Sequence, residues 1–377
     1  MGVSELSGLL HGQADDRLAD IVAQLEGHLA ADPDYSFQIA AYAGGRLVLD
    51  AWGGPHLEQD SLIVPMSVSK NSIGVAVALL VERGELDLDA PVAAYWPEFA
   101  QAGKAAVTVR QLLSHQAGLP DAAPRLNWDE LLDHHAAADR LAATAPLWHP
   151  GSAFGYHAVT IGNLGDELVY RVTGRTLHAF FESEVRAPLG ADFYLGLPQQ
   201  LEGRRVDALP MIPPVVPGPS APFNATRDWS FAPRPGGEIG LTTAERSWRY
   251  GHPAGSATVT ARGVATVLAG AVTGIGGSPA LLSPETVAAV GQQQVRGYDE
   301  VLGQHDRAHA IVFQKPSAQL AWGGPHSFGH DGAFGAVGCV DPDTGLAFGF
   351  TVARGPWPGG ADPRAIRVAR ELGAIYG

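Results

Sequence analysis

The residues Ser67-Val68-Ser69-Lys70 open an apolar run that continues to Val81. This S-x-x-K pattern stands at the start of a predicted helix, on which residues three positions apart share one face. A serine hydroxyl needs a base to act as a nucleophile, and a lysine amine can be that base when burial lowers its pKa. The 25 Lys and Arg residues include only three lysines, Lys70, Lys104 and Lys315, and arginine cannot act as a base. The alternative for the motif alone is a helix cap with an incidental lysine.

The composition bounds the class of protein. A chain of 377 residues with 46% hydrophobic and 17% charged residues is typical of a globular protein with room for two lobes. The net charge of −14 argues against nucleic acids and anionic membranes as partners. No apolar run reaches the roughly 18 residues of a membrane span. Because residues 1–20 lack the pattern of a signal peptide and Cys339 is the only cysteine, we expect a cytoplasmic protein.

The hydrophobic periodicity predicts strands near both ends of the chain and helices between them. The predicted strands are residues 37–42, 47–52, 310–313, 333–340 and 346–352. The predicted helices are residues 18–29, 67–81, 108–113, 129–143, 159–172, 177–185, 259–271 and 364–376. This order predicts an α/β lobe built from residues 1–95 and 285–377, with an all-α lobe inserted at residues 96–284.

Three blocks of the sequence form a shared pattern. The first is the S-x-x-K motif at Ser67. The second is VTVRQLLSHQAGLP at residues 107–120, and the third is Gly155-Tyr156-His157-Ala158. Together they resemble the serine β-lactamase-like superfamily, in particular its class C β-lactamase and family VIII carboxylesterase branch. A fourth, weaker block is His330-Asp331-Gly332, which stands where β-lactamases carry K-T-G. The resemblance implies an antiparallel sheet flanked by the terminal helices, with an inserted helical lobe.

The resemblance also implies roles for individual residues. Ser67 is the expected nucleophile, with Lys70 and Tyr156 sharing the proton transfers. The backbone N–H groups of Ser67 and Ala333 are the expected oxyanion hole, since two preset donors stabilise a tetrahedral oxyanion. Gly332 beside Ala333 would let the backbone approach the substrate closely.

Two departures from the family pattern bear on the substrate. The asparagine of the family's Y-x-N is absent, because Tyr156 is followed by His157 and Ala158. The K-T-G lysine is replaced by His330, which is mostly neutral at pH 7. The expected β-lactamase activity is therefore weak or absent.

Further residues are candidates for substrate contacts. His330 either contacts the substrate or is a turn residue. Trp229, Phe231 and Trp322 are candidate pocket residues, and the alternative for each is the core. Residues 210–237, rich in proline with Phe223, Trp229 and Phe231, are predicted to roof the site and set substrate choice. His115 is predicted to brace its own loop.

No metal site and no cofactor are predicted. His134-His135 and His305 with His309 have spacings that suit a metal, but no carboxylate or cysteine cluster adjoins them in the sequence, so surface histidines are expected.

The sequence thus predicts a serine hydrolase that forms an acyl-enzyme with a small-molecule acyl substrate, most simply an esterase on small esters or lactones. The alternatives are an acyltransferase that passes the acyl group to an amine or alcohol, a D-amino-acid amidase or peptidase, and a non-catalytic binding protein. The sequence gives no oligomeric state.

Overall fold

The structure is a computed structural model that describes residues 2–215, 224–237 and 239–377. The strands are β1 (Val3–Ser7), β2 (Leu10–Asp15), β3 (Phe37–Ala43), β4 (Arg46–Gly53), β5 (Phe193–Tyr194), β6 (Thr258–Val259), β7 (Val295–Asp299), β8 (Gln304–His309), β9 (Phe328–Asp331), β10 (Phe334–Gly335), β11 (Val337–Asp341), β12 (Leu346–Val352) and β13 (Gly360–Ala361). The α-helices are α1 (Ala19–Ala31), α2 (Asn71–Glu82), α3 (Val109–Leu113), α4 (Trp128–Leu131), α5 (Ala136–Ala143), α6 (Thr160–Thr173), α7 (Leu177–Phe181), α8 (Ala187–Leu189), α9 (Ala225–Ser230), α10 (Glu245–Tyr250), α11 (Ala261–Val272), α12 (Pro284–Gly291) and α13 (Pro363–Tyr376).

A seven-stranded sheet forms the centre of the molecule, in the order β1-β2-β4-β3-β12-β11-β9. Every neighbouring pair in it is antiparallel. Strands from the two ends of the chain meet where β3 pairs with β12, from Phe37 opposite Val352 to Ala43 opposite Leu346. The predicted fold, an antiparallel sheet built from both chain ends with helices between them, is confirmed.

Helices cover both faces of this sheet. On one face, apolar side chains of α1 and α13, such as Leu25 and Val368, share a buried cluster with β3 and β12. On the other face, α11 lies so close to β12 that a Cβ on Gly349 would be 2.0 Å from the Ala261 carbonyl oxygen. A second, larger cluster extends from β3 through α2 and α11 to α6 and α7. The predicted domain bounds at residues 95 and 284 stay a prediction, although α11, expected in the insertion, packs on the sheet.

Two local predictions were wrong, and one hairpin was missed. The apolar run 310–313 is a buried turn, not a strand, with Val312 at a φ of 66° and its N–H bonded to the Leu113 carbonyl. The strand lies just before it, in the polar segment Gln304–His309. The single helix predicted over 129–143 is two helices, α4 and α5, separated by residues 132–135. The N-terminal hairpin β1–β2 was not predicted at all.

No helix within the described residues combines the length and the apolar character that a membrane span requires.

Candidate active site

Ser67 lies in a short 3-10 helix, Met66–Lys70, that leads directly into α2. Met66 has a φ of 52°, a conformation uncommon for a residue with a side chain, so the chain turns sharply just before the serine. Ser69 holds the turn: its hydroxyl donates to the Met66 carbonyl at 2.6 Å and accepts from the Ala257 N–H at 3.1 Å. The turn presents Ser67 at the wall of a cavity.

Lys70 follows on the same side of the turn and is completely buried. Its Nζ lies 3.0 Å from Ser67 Oγ and donates to the Ala254 carbonyl at 2.6 Å. Burial lowers the pKa of Lys70 well below its usual value, because the charged amine would lose its hydration. A neutral amine donates one N–H to Ala254 and leaves its lone pair for the Ser67 hydroxyl proton.

Tyr156 reaches the serine from the segment that precedes α6. Its hydroxyl donates to Ser67 Oγ at 2.8 Å. Burial raises the pKa of Tyr156 above its usual range, so the phenol stays protonated at neutral pH. Tyr156 therefore presents an O–H group, and not a phenolate, to Ser67 Oγ.

Two buried residues fix the backbone around Tyr156. Both oxygens of the Asp299 carboxylate accept the Tyr156 N–H at 3.1 Å. His115, at a φ of 66°, accepts the His157 N–H on its Nδ1 at 3.1 Å, and its carbonyl accepts the Gly155 N–H at 3.1 Å. His115 thus braces the loop against the tyrosine segment, as its sequence position predicts.

His330 lies behind the tyrosine and is completely buried. Its Nδ1–H donates to the Asp331 carbonyl at 2.7 Å, which leaves Nε2 as the acceptor, 3.4 Å from the Tyr156 hydroxyl. Burial and the nearby Lys70 lower the pKa of His330 well below its usual value. A neutral His330 cannot attract a substrate carboxylate as a lysine would.

The segment after β9 lies directly against the serine turn. A Cβ on Gly332 would be only 2.1 Å from the Pro65 carbonyl oxygen, so this position requires glycine. The Gly332 N–H donates to the Ala336 carbonyl at 2.8 Å, which fixes the segment from its other side. Ala333, the next residue, lines the same cavity as Ser67.

The cavity has a volume of about 490 Å³, within the range of small-molecule sites. Its walls are mostly apolar and combine side chains from the helical lobe with the loop after β7, among them Pro120, Trp128, Val159, Phe231, Leu241, Val301 and Leu302. Arg234 is the cation in the lining, and its guanidinium donates to Asp121 at 2.8 Å and to the Leu126 carbonyl at 3.0 Å. Ala158 stands two residues after the tyrosine, where the Y-x-N pattern has asparagine, and presents only a methyl group to the cavity.

The candidate substrate residues separate into two groups. Phe231 lines the cavity and is 55% exposed. Trp229 lies on α9 with the Arg125 guanidinium over its ring and is not part of the cavity wall. Trp322 is buried in the cluster on the opposite face of the sheet, so its prediction as a pocket residue was wrong and the core alternative holds. Phe223 lies outside the described residues.

Asp299 and the Ala254 carbonyl are parts of the site that the sequence did not reveal. Asp299 lies 143 positions from Tyr156 and also accepts the N–H groups of Val301 and Leu302. The sequence contains 39 acidic residues, and no motif marks this one. Ala254 contacts Lys70 through its backbone, which places no demand on the residue type.

Comparison with known proteins identifies the family. Residues 25–372 match the β-lactamase family. The chain is 30% identical over 362 residues to the esterase/β-lactamase LipL of Mycobacterium tuberculosis, covering 89% of this chain and 81% of LipL. The structure is similar to EstA from Arthrobacter nitroguajacolicus Rue61a, with a TM-score of 0.88, 36% identity and coverage of 100% and 99% of the two chains. It is also similar to a family VIII carboxylesterase, with a TM-score of 0.86, 28% identity and coverage of 97% and 99%.

The fold and the relatives define a serine hydrolase. The chain belongs to the β-lactamase family, which confirms the resemblance seen in its sequence motifs.

Proposed function

We propose that this protein is a carboxylesterase that forms an acyl-enzyme on Ser67. The observation that carries the proposal is the contact of Ser67 Oγ with both Lys70 Nζ, at 3.0 Å, and the Tyr156 hydroxyl, at 2.8 Å, at the wall of a mostly apolar cavity. The esterases among the chain's relatives support the same substrate class.

Acylation begins with Lys70 as the base. Ser67 Oγ attacks the ester carbonyl carbon while its proton moves to the neutral Lys70 amine. The intermediate collapses when the bond to the leaving alkoxide breaks, and Tyr156 gives its phenolic proton to that oxygen. The proton held by Lys70 then restores the phenol. Water reverses these transfers in deacylation and releases the acid.

The carbonyl oxygen gains negative charge in both steps. We place it between the backbone N–H groups of Ser67 and Ala333, because the fit of Gly332 against Pro65 brings the two segments together at the cavity. Donors fixed in advance stabilise the oxyanion without reorganisation at the moment of reaction, and one such donor contributes about 2.7–4 kcal/mol.

The same walls disfavour penicillins. Ala158 offers no amide to hold the substrate's amide, and neutral His330 offers no cation to the substrate's carboxylate. The Arg234 guanidinium in the wall already donates to Asp121 and to the Leu126 carbonyl. A neutral hydrogen bond contributes about 0.5–1.5 kcal/mol and one to a charged group about 1.5–3 kcal/mol, so the loss of both anchors lowers kcat/KM by roughly 30- to 2,000-fold. A short acyl chain, in contrast, packs against the apolar walls of the cavity.

The test compares hydrolysis of p-nitrophenyl butyrate and of benzylpenicillin by the wild type and by Ser67→Ala. We expect ester hydrolysis that Ser67→Ala abolishes, with kcat/KM for benzylpenicillin at least about thirtyfold below that for the ester. Efficient hydrolysis of benzylpenicillin, or ester hydrolysis that survives Ser67→Ala, contradicts the proposal. Adding an alcohol and measuring ester formation separates hydrolysis from acyl transfer.

A further inference from the structure

A second cluster of ionisable residues lies in the helical lobe, where α4 ends and α5 begins. His134 and His135 occupy the break between these helices, and both rings pack on Tyr170 of α6, with centroids 5.0 Å and 4.9 Å away. An unbroken helix over 129–143 would send neighbouring side chains about 100° apart around its axis. The break instead lets both imidazoles face α6.

Two carboxylates of α6 meet these imidazoles. His134 Nδ1 lies 2.8 Å from Asp166 Oδ2, and His135 Nδ1 lies 2.8 Å from Glu167 Oε2. The other oxygen of Glu167 accepts from Arg171 Nε at 2.6 Å, which leaves Oε2 for the histidine side. Both carboxylates are buried, with side-chain exposures of 3% for Asp166 and 0% for Glu167.

We propose that His134, His135 and Glu167 bind a divalent transition-metal ion, with Asp166 as the carboxylate that orients His134. One ligand atom from each of the three ligand residues lies within 4.8 Å of the other two. Ligands of a tetrahedral zinc ion stand roughly 3.3 Å apart, given bonds of about 2.0–2.1 Å, so small side-chain movements bring these three ligands into place and water fills the fourth position.

Two ion pairs without a metal would explain less of this arrangement than a metal site does. His134 Nε2 is buried and has no hydrogen-bond partner among the described residues, although buried polar atoms are nearly always paired. A histidine whose Nδ1–H is held by a carboxylate, with the lone pair of Nε2 unused, has the form of a metal ligand with its outer partner.

His178 adds a third imidazole at the margin of the cluster. Its Nε2 donates to the carbonyls of Tyr250 and Gly251, at 3.0 Å and 3.1 Å, so its lone pair is on Nδ1. That Nδ1 lies 4.0 Å from Asp166 Oδ2. The cluster is therefore richer in nitrogen ligands than the sequence suggested, and the carboxylates missing there come from α6, some 32 positions away.

The donor set selects the ion. Imidazole nitrogen with one or two carboxylate oxygens suits zinc, cobalt or nickel, whereas calcium and magnesium prefer oxygen ligands alone. None of the cluster's residues lines the cavity beside Ser67. The ion therefore lies apart from Ser67, where it ties the break between α4 and α5 to α6 and stabilises the helical lobe.

The test uses protein freed of metal with EDTA. We expect one equivalent of Zn²⁺ to raise the unfolding temperature by a few degrees, and one equivalent of Co²⁺ to give the visible absorption of a low-symmetry site with nitrogen ligands. The double variant His134→Gln/His135→Gln should lose both responses, and Glu167→Gln should weaken them. The matched control is His326→Gln, which removes an exposed histidine whose Nδ1 lies 2.7 Å from the Asp343 carboxylate. This variant should respond to Zn²⁺ and Co²⁺ as the wild type does.

Hydrolysis of p-nitrophenyl butyrate and circular dichroism verify that each variant is folded. The wild-type titration stands without any variant: no stoichiometric Zn²⁺ or Co²⁺ response overturns the proposal. An unchanged response in the double variant also overturns it. Neither outcome bears on Ser67, so the two proposals fail independently.

Discussion

Gly332 lies so close to Pro65 that a single added methyl group would be 2.1 Å from the Pro65 carbonyl oxygen. Pro65 begins the turn that carries Ser67, and Gly332 precedes Ala333. This contact therefore determines how far apart the two proposed oxyanion donors stand.

Gly332→Ala tests that relationship. The methyl group pushes the two segments apart, and misplacing one donor should lower kcat for p-nitrophenyl butyrate by about 10²–10³. Gly203→Ala is the matched control, because a Cβ there meets no atom within 4 Å. Wild-type kcat in a folded Gly332→Ala variant would show that this contact does not position the oxyanion hole.

Lys70→Arg tests whether a neutral amine is the base. Arginine keeps a positive charge but cannot accept the Ser67 proton, so Lys70→Arg and Lys70→Ala should both lower kcat/KM by about 10²–10⁴. Lys315→Arg is the control: burial also lowers the pKa of Lys315, to about 8, but that lysine lies away from the cavity wall. If Lys70→Arg retains wild-type kcat/KM, the lysine serves only as a charge.

The predicted roof of the site can be tested by comparing variants of Phe231 and Trp229. Phe231 lines the cavity and Trp229 does not, although both belong to the same proline-rich segment. An apolar contact with the acyl group contributes about 1–3 kcal/mol. Phe231→Ala should therefore change the ratio of kcat/KM for p-nitrophenyl octanoate and acetate by roughly tenfold, and Trp229→Ala should leave it unchanged. If the ratio in Phe231→Ala stays at the value found in Trp229→Ala, Phe231 does not contact the acyl group.

His157 links stability to pH. Burial lowers the pKa of His157 to about 4, from an unfolded value near 6.5. Between these values only the unfolded chain binds this proton, so His157 stabilises the fold fully above pH 6.5, and this contribution declines as the pH falls toward 4. The slope is about 1.4 kcal/mol per pH unit.

His157→Gln should therefore lower the slope of the free energy of unfolding against pH, measured with urea between pH 6.5 and 5, by up to about 1.4 kcal/mol per pH unit. Buried histidines such as His330, whose pKa burial also lowers, account for the slope that remains. The control Gly203→Ala, which removes no titratable group, should keep the wild-type slope. A wild-type slope in His157→Gln would mean that His157 titrates equally in both states.

The sequence predicted correctly those features that depend on local patterns of residues. Strand β12 was predicted at its observed bounds, because residues 346–352 form an apolar run between turns. Ser67, Lys70 and Tyr156 were predicted from motifs, and the structure brings them within hydrogen-bond distance.

What the sequence missed depends on tertiary contacts. The run 310–313 has the apolar composition of a strand but forms a buried turn. The strand before it, β8, is polar, so its composition does not reveal its pairing with β7. Asp299 reaches Tyr156, and Glu167 reaches His135, only through the fold. The aromatic type of Trp322 does not distinguish a core position from a pocket wall.

The central claim is that Ser67 becomes acylated, and intact mass spectrometry after a fluorophosphonate tests it most directly. We predict a single adduct that peptide mapping assigns to Ser67, formed by the wild type and absent from Ser67→Ala. Labelling on another serine, or no labelling of a sample that hydrolyses esters, would contradict the account.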